Sequence, residues 1–143
     1  PIRARDGNRP TPALAADAAY RQAGLGPEDL DFAEVPDAVS PAELMYYREL
    51  GFCREGQVAQ FVREKRSALG GSMPVNPSGG LNARGHPVGA TGVAQIVELT
   101  KQLRGDAGGC LVDDARIGLA HNAGGWSGDV MVRVSARVLC RFY

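Results

Sequence analysis

The stretch from Asn76 to Gly92 constrains this chain more than any other part of its sequence. It reads Asn-Pro-Ser-Gly-Gly-Leu-Asn-Ala-Arg-Gly-His-Pro-Val-Gly-Ala-Thr-Gly, with five glycines, two prolines and one histidine. Glycine allows a backbone with positive φ and lets another group approach closely, so this composition predicts a shaped loop. The short apolar run at 73–75 is typical of a strand end. We therefore expect a strand, a glycine-rich turn and a helix in succession.

An amphipathic pattern follows the loop directly and predicts a helix from about Ala90 to Arg104. Its apolar residues fall on one helical face, which we expect to pack on the core: Val93, Ile96, Val97 and Leu103. The start of a helix carries free N–H groups and partial positive charge, which suits an anionic or oxyanionic ligand. No lysine follows Gly89 or Gly92, and the order G-x-G-x-x-G is absent, so neither common nucleotide-binding motif is present.

His86 is the residue of the loop most suited to chemistry. An imidazole gains and loses a proton near physiological pH, and Pro87 stiffens the backbone directly after it. The alternative interpretation is a connecting loop with a histidine that faces solvent. The density of glycine around His86 favours the interpretation as a site.

The rest of the chain reads as short helices and strands. Thr11-Pro12 predicts a helix that ends at Gly24, with a turn or short helical turn at 26–30. Ser40-Pro41-Ala42-Glu43 reads as a capping box for a helix that ends at Gly51. We expect Leu44, Tyr47 and Leu50 on one face of that helix. A further helix is expected at Gln57–Ser67, with Val58, Phe61 and Val62 facing the core and the basic residues Arg63, Lys65 and Arg66 facing water.

Strand candidates lie at Asp31–Val35, at Ala115–Ala120 and along the alternating run 130–138. Ile2–Ala4 reads as the tail of another strand. A second glycine-rich turn, His121–Gly128, joins the last two strands, which should pair antiparallel. Alternation of strands and helices predicts an α/β fold with a mixed β-sheet and helices packed on its faces.

Composition excludes several classes of function. The 16 basic and 16 acidic residues balance, so there is no electrostatic case for nucleic acid. Apolar runs are too short to span a membrane. The 3 cysteines lack metal-like spacing, which favours a reduced, cytoplasmic compartment and no metal site. A chain that begins at Pro1 suggests a fragment, a processed product or a trimmed sequence.

The two glycine-rich segments Asn76–Gly80 and Gly85–Gly92 resemble the signature of the thiolase family. The following Ala94–Leu99 and Gln102–Gly105 are most similar to the lipid-transfer-protein, or sterol-carrier, type of thiolase. The resemblance implies the C-terminal half of the five-layered thiolase fold over residues 1–138. The tail at 139–143 does not resemble the family.

The resemblance implies acyl-CoA thiolysis or Claisen condensation in lipid metabolism, with coenzyme A as part of the substrate and no bound cofactor. It assigns His86 as the base that activates a nucleophilic cysteine and as a donor to the thioester oxygen. His121 would be the second acid/base, or else a structural histidine at a strand end. The implied substrate-binding residues surround them: Asn76, Gly79, Gly80, Gly85, Pro87, Gly89 and Gly124.

The chain departs from the family pattern at several positions. Pro36 stands where the family has a side chain of the oxyanion site, Ala38 replaces a cysteine, and Ala123 replaces a glycine. The nucleophilic cysteine belongs to the N-terminal half and is absent, and Cys53 is the equivalent of a non-catalytic cysteine. We therefore expect the isolated chain to be inactive.

The expected partners are an acyl-CoA substrate, an N-terminal thiolase half in the same or another chain, and a second copy in a homo-oligomer, typically a dimer. Two alternatives remain open. One is a thiolase-like retro-aldolase of steroid side-chain degradation, which would fit the changes at Pro36 and Ala38. The other is a truncated or binding subunit without catalysis.

Overall fold

A computed structural model describes residues 11–123 and 129–135 of the chain. It contains five α-helices and three strands in these ranges, with 3₁₀ turns at Pro27–Asp29 and Gly108–Cys110. In chain order the elements are α1 (Thr11–Ala23), β1 (Phe32–Glu34), α2 (Ser40–Glu49), α3 (Val58–Arg63), α4 (Gly80–Arg84), α5 (Thr91–Arg104), β2 (Ile117–Ala123) and β3 (Asp129–Ser135).

The three strands form one sheet in the order β1-β2-β3. β1 pairs with β2 in parallel, with Phe32 opposite Gly118. β2 pairs with β3 antiparallel, from Ile117 opposite Ser135 to Ala123 opposite Asp129. The backbone just before the glycine-rich loop adds a parallel bridge to β1 at Val75. The predicted mixed α/β fold is confirmed.

Helices cover both faces of this sheet. Successive strand residues point to opposite faces, so neighbouring residues of one strand join different cores. Leu119 joins the larger core, which includes Ala16 of α1 and Leu50 after α2. Ala120, the next residue, joins a smaller core with Phe32 and with Leu99 of α5. One face therefore packs on α1 and α2, and the other on α5.

The predicted core-facing side of α5 is wrong in part. Val93 is 67% exposed and Val97 is 46% exposed, whereas Leu99 is fully buried. Polar residues take up much of the buried face, because they bond to backbone groups: Gln95 Nε2 donates to the carbonyl of His121 at 2.8 Å. Gln102 accepts from the Val112 N–H and donates to the Cys110 carbonyl. A pattern that counts apolar residues alone misses these glutamines.

Two further helix predictions need correction. The capping box at Ser40 is wrong: α2 begins at Ser40 after Val39, and no side chain caps it. Leu44 lies exposed, although Tyr47 and Leu50 are buried as predicted. Glu43 does not close a capping box, because its carboxylate bonds to the Tyr47 hydroxyl and to the Asn76 amide.

The helix expected at Gln57–Ser67 ends early, since α3 stops at Arg63. Phe61 is buried, but Val62 is exposed. Arg66 does not simply face water, because its guanidinium lies 4.9 Å from the centre of the Phe61 ring and bonds to Ser72. The predicted strand tail at Ile2–Ala4 lies outside the described residues.

In the part of the chain that the structure describes, no helix has the length and apolar character needed to cross a membrane.

Gly118 offers a test of the smaller core. A Cβ added there would lie 2.6 Å from Cζ of Phe32 and 3.1 Å from Cγ of Leu99. We predict that Gly118→Ala lowers the free energy of unfolding by about 1–3 kcal/mol, the usual cost of overpacking. The measurement is urea unfolding. Gly109→Ala is the matched control, because no atom lies within 4 Å of its added Cβ, and equal stability of the two variants would contradict the packing described.

Candidate functional site

Asn76 opens the glycine-rich loop and is tied to two neighbouring elements. Its φ is 51°, a left-handed conformation that asparagine tolerates better than most residues. Its side-chain Oδ1 accepts the N–H of Val35 at 2.8 Å, and its Nδ2 donates to Glu43 at 3.0 Å. Asn76 was predicted to bind substrate, and its amide joins the loop to the end of β1 and to α2.

Glu34, the last residue of β1, holds the next part of the loop from a fully buried position. Its carboxylate accepts from the Ser78 backbone at 3.2 Å and from the Ser78 hydroxyl at 2.8 Å. The Arg84 guanidinium lies 3.4 Å away. Burial raises the pKa of this carboxyl above its ordinary value, although Ser78 and Arg84 favour the charged form.

Asp37 caps α4, the short helix inside the loop. Its buried carboxylate accepts the N–H of Leu81 at 2.6 Å and the side-chain amide of Asn82 at 2.9 Å. Gly80 must be glycine here, because its φ is 64° and an added Cβ would lie 2.5 Å from the Asp37 oxygens. Gly79, with a φ of 89°, makes the turn before it. The two predicted substrate-binding glycines thus shape the loop around Asp37.

His86 lies exposed beyond α4. The chain reaches it through Gly85, whose φ is 83°. The ring Nδ1 lies 2.7 Å from Oγ1 of Thr91, the first residue of α5. The nearby Pro87 and Gly89 are also exposed, and no atom lies within 4 Å of a Cβ added at Gly89. This part of the loop is therefore open to a ligand or to another protein surface.

The sequence predicted that His121 begins a turn after the strand. In the structure His121 lies inside β2. Its side chain is fully buried, and the Tyr46 ring meets it edge-on with centroids 4.5 Å apart. Tyr46 packs against the larger core, so the His121 ring faces α2. The structure does not bring this ring to the sheet face covered by α5, where the residue bonded to His86 lies.

Asn122, the next residue of β2, points to the α5 face. A Cβ added at Gly92 would lie 3.2 Å from Nδ2 of Asn122. Gly92 directly follows Thr91, so Asn122 reaches the start of the helix that holds His86. Gly124, the remaining predicted site residue, lies outside the described residues.

Two surface grooves lie elsewhere on the described part of the chain. One borders Tyr20 and Gly26, and the other borders Phe52 and Met73. Neither is lined by the glycine-rich loop. Within residues 11–123 and 129–135, no group of three or more His, Cys, Asp and Glu side chains is arranged to hold a metal ion.

Comparison with known proteins identifies the family. The family described as thiolase C-terminal domain-like matches residues 5–137. The chain belongs to this family. The resemblance drawn from the glycine-rich loop is thereby confirmed.

The proteins that are similar to this chain carry different names. Acetyl-CoA acetyltransferase of Methanothermobacter thermautotrophicus is 44% identical over 123 residues, which are 86% of this chain and 32% of that protein. Sterol carrier protein 2 of Rattus norvegicus is 48% identical over 110 residues, 77% of this chain and 20% of that protein. The chain thus spans about a third of the length of the acetyltransferase and about a fifth of the length of the sterol carrier protein.

The solved structure of an Ltp2-ChsH2(DUF35) aldolase is also similar, with a TM-score of 0.77 and 27% identity. The match covers 96% of this chain and 35% of that one. The described fold of this chain is therefore that of a thiolase-like protein.

Sequence reasoning missed the groups that hold the loop: Glu34, Asp37, Glu43 and Thr91. Glu34 ends β1 and Asp37 follows it three residues later, but nothing in the local pattern links them to a loop 44 residues later. Thr91, the first residue of α5, follows a run of small residues, and nothing in that run indicates its bond to His86.

The raised pKa of Glu34 predicts a pH-dependent stability. The folded chain binds this proton more tightly than the unfolded chain, so the contribution of Glu34 to the free energy of unfolding is greatest below the ordinary pKa of 4.5. It falls as pH rises through the raised pKa. We predict that the stability of Glu34→Gln relative to the unchanged chain increases with pH across this window, because glutamine does not titrate.

Urea unfolding at several pH values from about 4.5 upward measures this difference. Glu55→Gln is the control, since the Glu55 side chain is 83% exposed. A Glu34→Gln difference that stays flat or falls with pH would refute the assignment.

Proposed function

We propose that this chain forms the C-terminal half of a thiolase-like acyltransferase that acts on acyl-CoA thioesters in lipid metabolism. The reaction would be thiolysis or Claisen condensation. The observation that carries the proposal is the loop from Asn76 to Gly92, which is held at its base by buried carboxylates and presents His86 on its exposed side. The family and the names of the relatives support the same reaction class.

His86 serves in this proposal as the base for a cysteine nucleophile. One ring nitrogen takes the proton of the thiol, and the thiolate attacks the carbonyl carbon of the thioester. The carbon–sulfur bond to coenzyme A then breaks, and the departing sulfur takes a proton. In condensation the acyl group passes from the cysteine to the α-carbon of a second acyl-CoA, which loses a proton, and the cysteine is released; thiolysis is the reverse sequence. The partial positive charge at the start of α5 is suited to stabilise the oxygen that becomes negative.

The nucleophile has to come from outside the described residues. Cys53 is a poor candidate because burial raises its pKa, and a raised pKa reduces the thiolate population. Cys110 is exposed in a 3₁₀ turn beyond the C-terminal end of α5, and the 14 residues of that helix separate it from the end where His86 bonds to Thr91. We propose that an N-terminal thiolase half, in the same or another chain, supplies the cysteine.

The exposed side of α5 supports the proposal that a partner half contacts this chain. Val93 and Val97 lie four residues apart on one helical face and are well exposed, and Val88 in the loop is 80% exposed. Apolar side chains grouped in this way usually mark a contact surface. We propose that the N-terminal half, or a second copy in a homo-oligomer, covers them.

The second acid/base is the role that concerns the end of β2. His121 was the candidate, but it is fully buried and its ring packs on Tyr46. We propose that Asn122, which lies beside Gly92 at the start of α5, contributes as a hydrogen-bonding group and not as an acid/base, because an amide does not titrate. The remaining substrate contacts would come from the exposed backbone at Gly85, Pro87 and Gly89.

An aldolase is the second candidate function. It is favoured by the similarity to the Ltp2-ChsH2(DUF35) aldolase over 96% of this chain. Pro36 fits this alternative, because it has neither a backbone N–H nor a polar side chain for a thiolase oxyanion site. An aldolase would release an aldehyde or ketone from a β-hydroxyacyl thioester without consuming coenzyme A, so assays of the two products separate the candidates.

The first experiment is the mass of the native polypeptide and of any protein that copurifies with it. A longer chain or a stoichiometric companion that contains the cysteine supports the acyltransferase. A lone chain of 15.1 kDa favours a binding subunit without catalysis.

In the complete protein, we predict that His86→Ala lowers the rate of acyl-CoA thiolysis by about 10²–10⁴-fold, the usual loss for an acid/base. Steady-state kinetics with a 3-oxoacyl-CoA and free coenzyme A measure the rate of thiolysis. The exposed control Glu55→Gln should retain the rate. An unchanged rate in His86→Ala would refute the role of His86.

We also predict that the isolated chain self-associates through the exposed face of α5. Replacing both Val93 and Val97 with serine removes apolar surface and should lower the weight-average mass at high protein concentration. Sedimentation velocity over a concentration series measures the mass. Val62→Ser is the control, because Val62 is 43% exposed on another helix; a monodisperse monomer of the unchanged chain would contradict the prediction.

A further inference from the structure

The His86 ring is exposed, but the group that bonds to it is not. Thr91 is 1% exposed and begins α5, so its backbone is fixed by the helix. Its Oγ1 lies 2.7 Å from Nδ1 of His86. Within the described part of the chain, Thr91 is the hydrogen-bond partner of the ring, and it is firmly placed.

The Thr91 hydroxyl has a second neighbour, the carbonyl of Pro87 at 3.2 Å. That carbonyl also accepts the N–H groups of Ala90 at 2.8 Å and of Thr91 at 3.0 Å. A hydroxyl has one hydrogen to donate and two lone pairs to accept with. Thr91 can therefore send its hydrogen to either neighbour without moving its oxygen.

The two arrangements match different protonation states of His86. When the neutral ring carries its proton on Nε2, Nδ1 is an acceptor and the hydroxyl donates to it; 2.7 Å is an ordinary O–H donor distance. When Nδ1 carries a proton, in the other tautomer or in the cation, Oγ1 accepts from it. The hydroxyl hydrogen then turns to the Pro87 carbonyl.

We propose that Thr91 is the positioning residue of His86 and holds the ring in one orientation in all of its protonation states. This inference rests on the proposed function for its catalytic meaning, since a base must accept and return a proton without losing its alignment. A partner that only donates or only accepts would lose its hydrogen bond in one half of that cycle. The hydroxyl, with the Pro87 carbonyl behind it, keeps the bond in both.

Two substitutions separate this role from simple packing. Thr91→Ser keeps the hydroxyl and removes a methyl group. Thr91→Val keeps the branched shape and removes the hydroxyl. If Thr91 only fills space, the valine variant should behave like the unchanged chain and the serine variant should differ.

The test is NMR of the isotopically labelled full chain, without substrate. Three-bond couplings of the His86 side chain report its χ1 rotamer, and its ring ¹⁵N shifts report its protonation state. The chain has 2 histidines, so His86→Ala assigns the signals. We expect couplings of a single rotamer in the unchanged chain and in Thr91→Ser, both when the ring is neutral and when it is protonated. Thr91→Val should give averaged couplings in both states.

The unchanged chain alone can overturn the proposal, even if Thr91→Val does not fold. Averaged couplings in either protonation state would show that the ring is not held through the cycle. A folded Thr91→Val with the couplings of the unchanged chain would show that the hydroxyl does not hold it.

Activity of the complete protein separates this inference from the proposed function. Thr91→Val should lower kcat by up to about 10²-fold with a smaller change in KM, the effect of a misaligned group, and Thr91→Ser should restore most of it. If His86→Ala leaves the rate unchanged, the proposed function fails while the NMR result stands. If His86→Ala abolishes the rate but Thr91→Val does not reduce it, the positioning role fails alone.

Discussion

The glycine-rich loop depends on three carboxylates that reach it from β1, from α2 and from the segment between them. Glu34, Asp37 and Glu43 bond to Ser78, to the start of α4 and to Asn76, respectively. Ordering a residue costs about 1–2 kcal/mol of backbone entropy, and glycine costs the most. A hydrogen bond to a charged group contributes about 1.5–3 kcal/mol. A loop with five glycines in 17 residues therefore needs such anchors to keep a defined shape.

These anchors all act on the first half of the loop. Beyond Arg84 the chain is exposed until Thr91, where it enters α5. The loop thus has a fixed base, a fixed end and an open middle that contains His86. This division suits a site in which one histidine has to meet a group from outside while its backbone stays in place. It also explains the positions of the predicted glycines: Gly79 and Gly80 serve the base, and Gly85 and Gly89 lie in the open part.

The sequence predicted the features that depend on local pattern. The glycine loop, the bounds of α5 and the mixed α/β class follow from turn residues and from residue spacing. The buried face of α5 did not, because Gln95 and Gln102 are buried by bonding to the backbone of distant segments. Likewise, the pairing of Glu34 with Ser78 and of Asp37 with Leu81 joins residues 44 apart. No periodicity in the sequence encodes such a pairing; it requires the fold.

The register of β2 decides which residue of the His121-Asn122 pair reaches the loop. Gly118 and Ala120 face Phe32 and Leu99, so Asn122 shares the α5 side. His121 belongs with Leu119 on the side of the larger core. A shift of one residue would exchange the two sets, because strand side chains alternate with a period of two. Gly118 resists that shift, since any side chain on this face would meet the Phe32 ring. The packing of one glycine against one aromatic ring therefore keeps Asn122 at the start of the helix that holds His86.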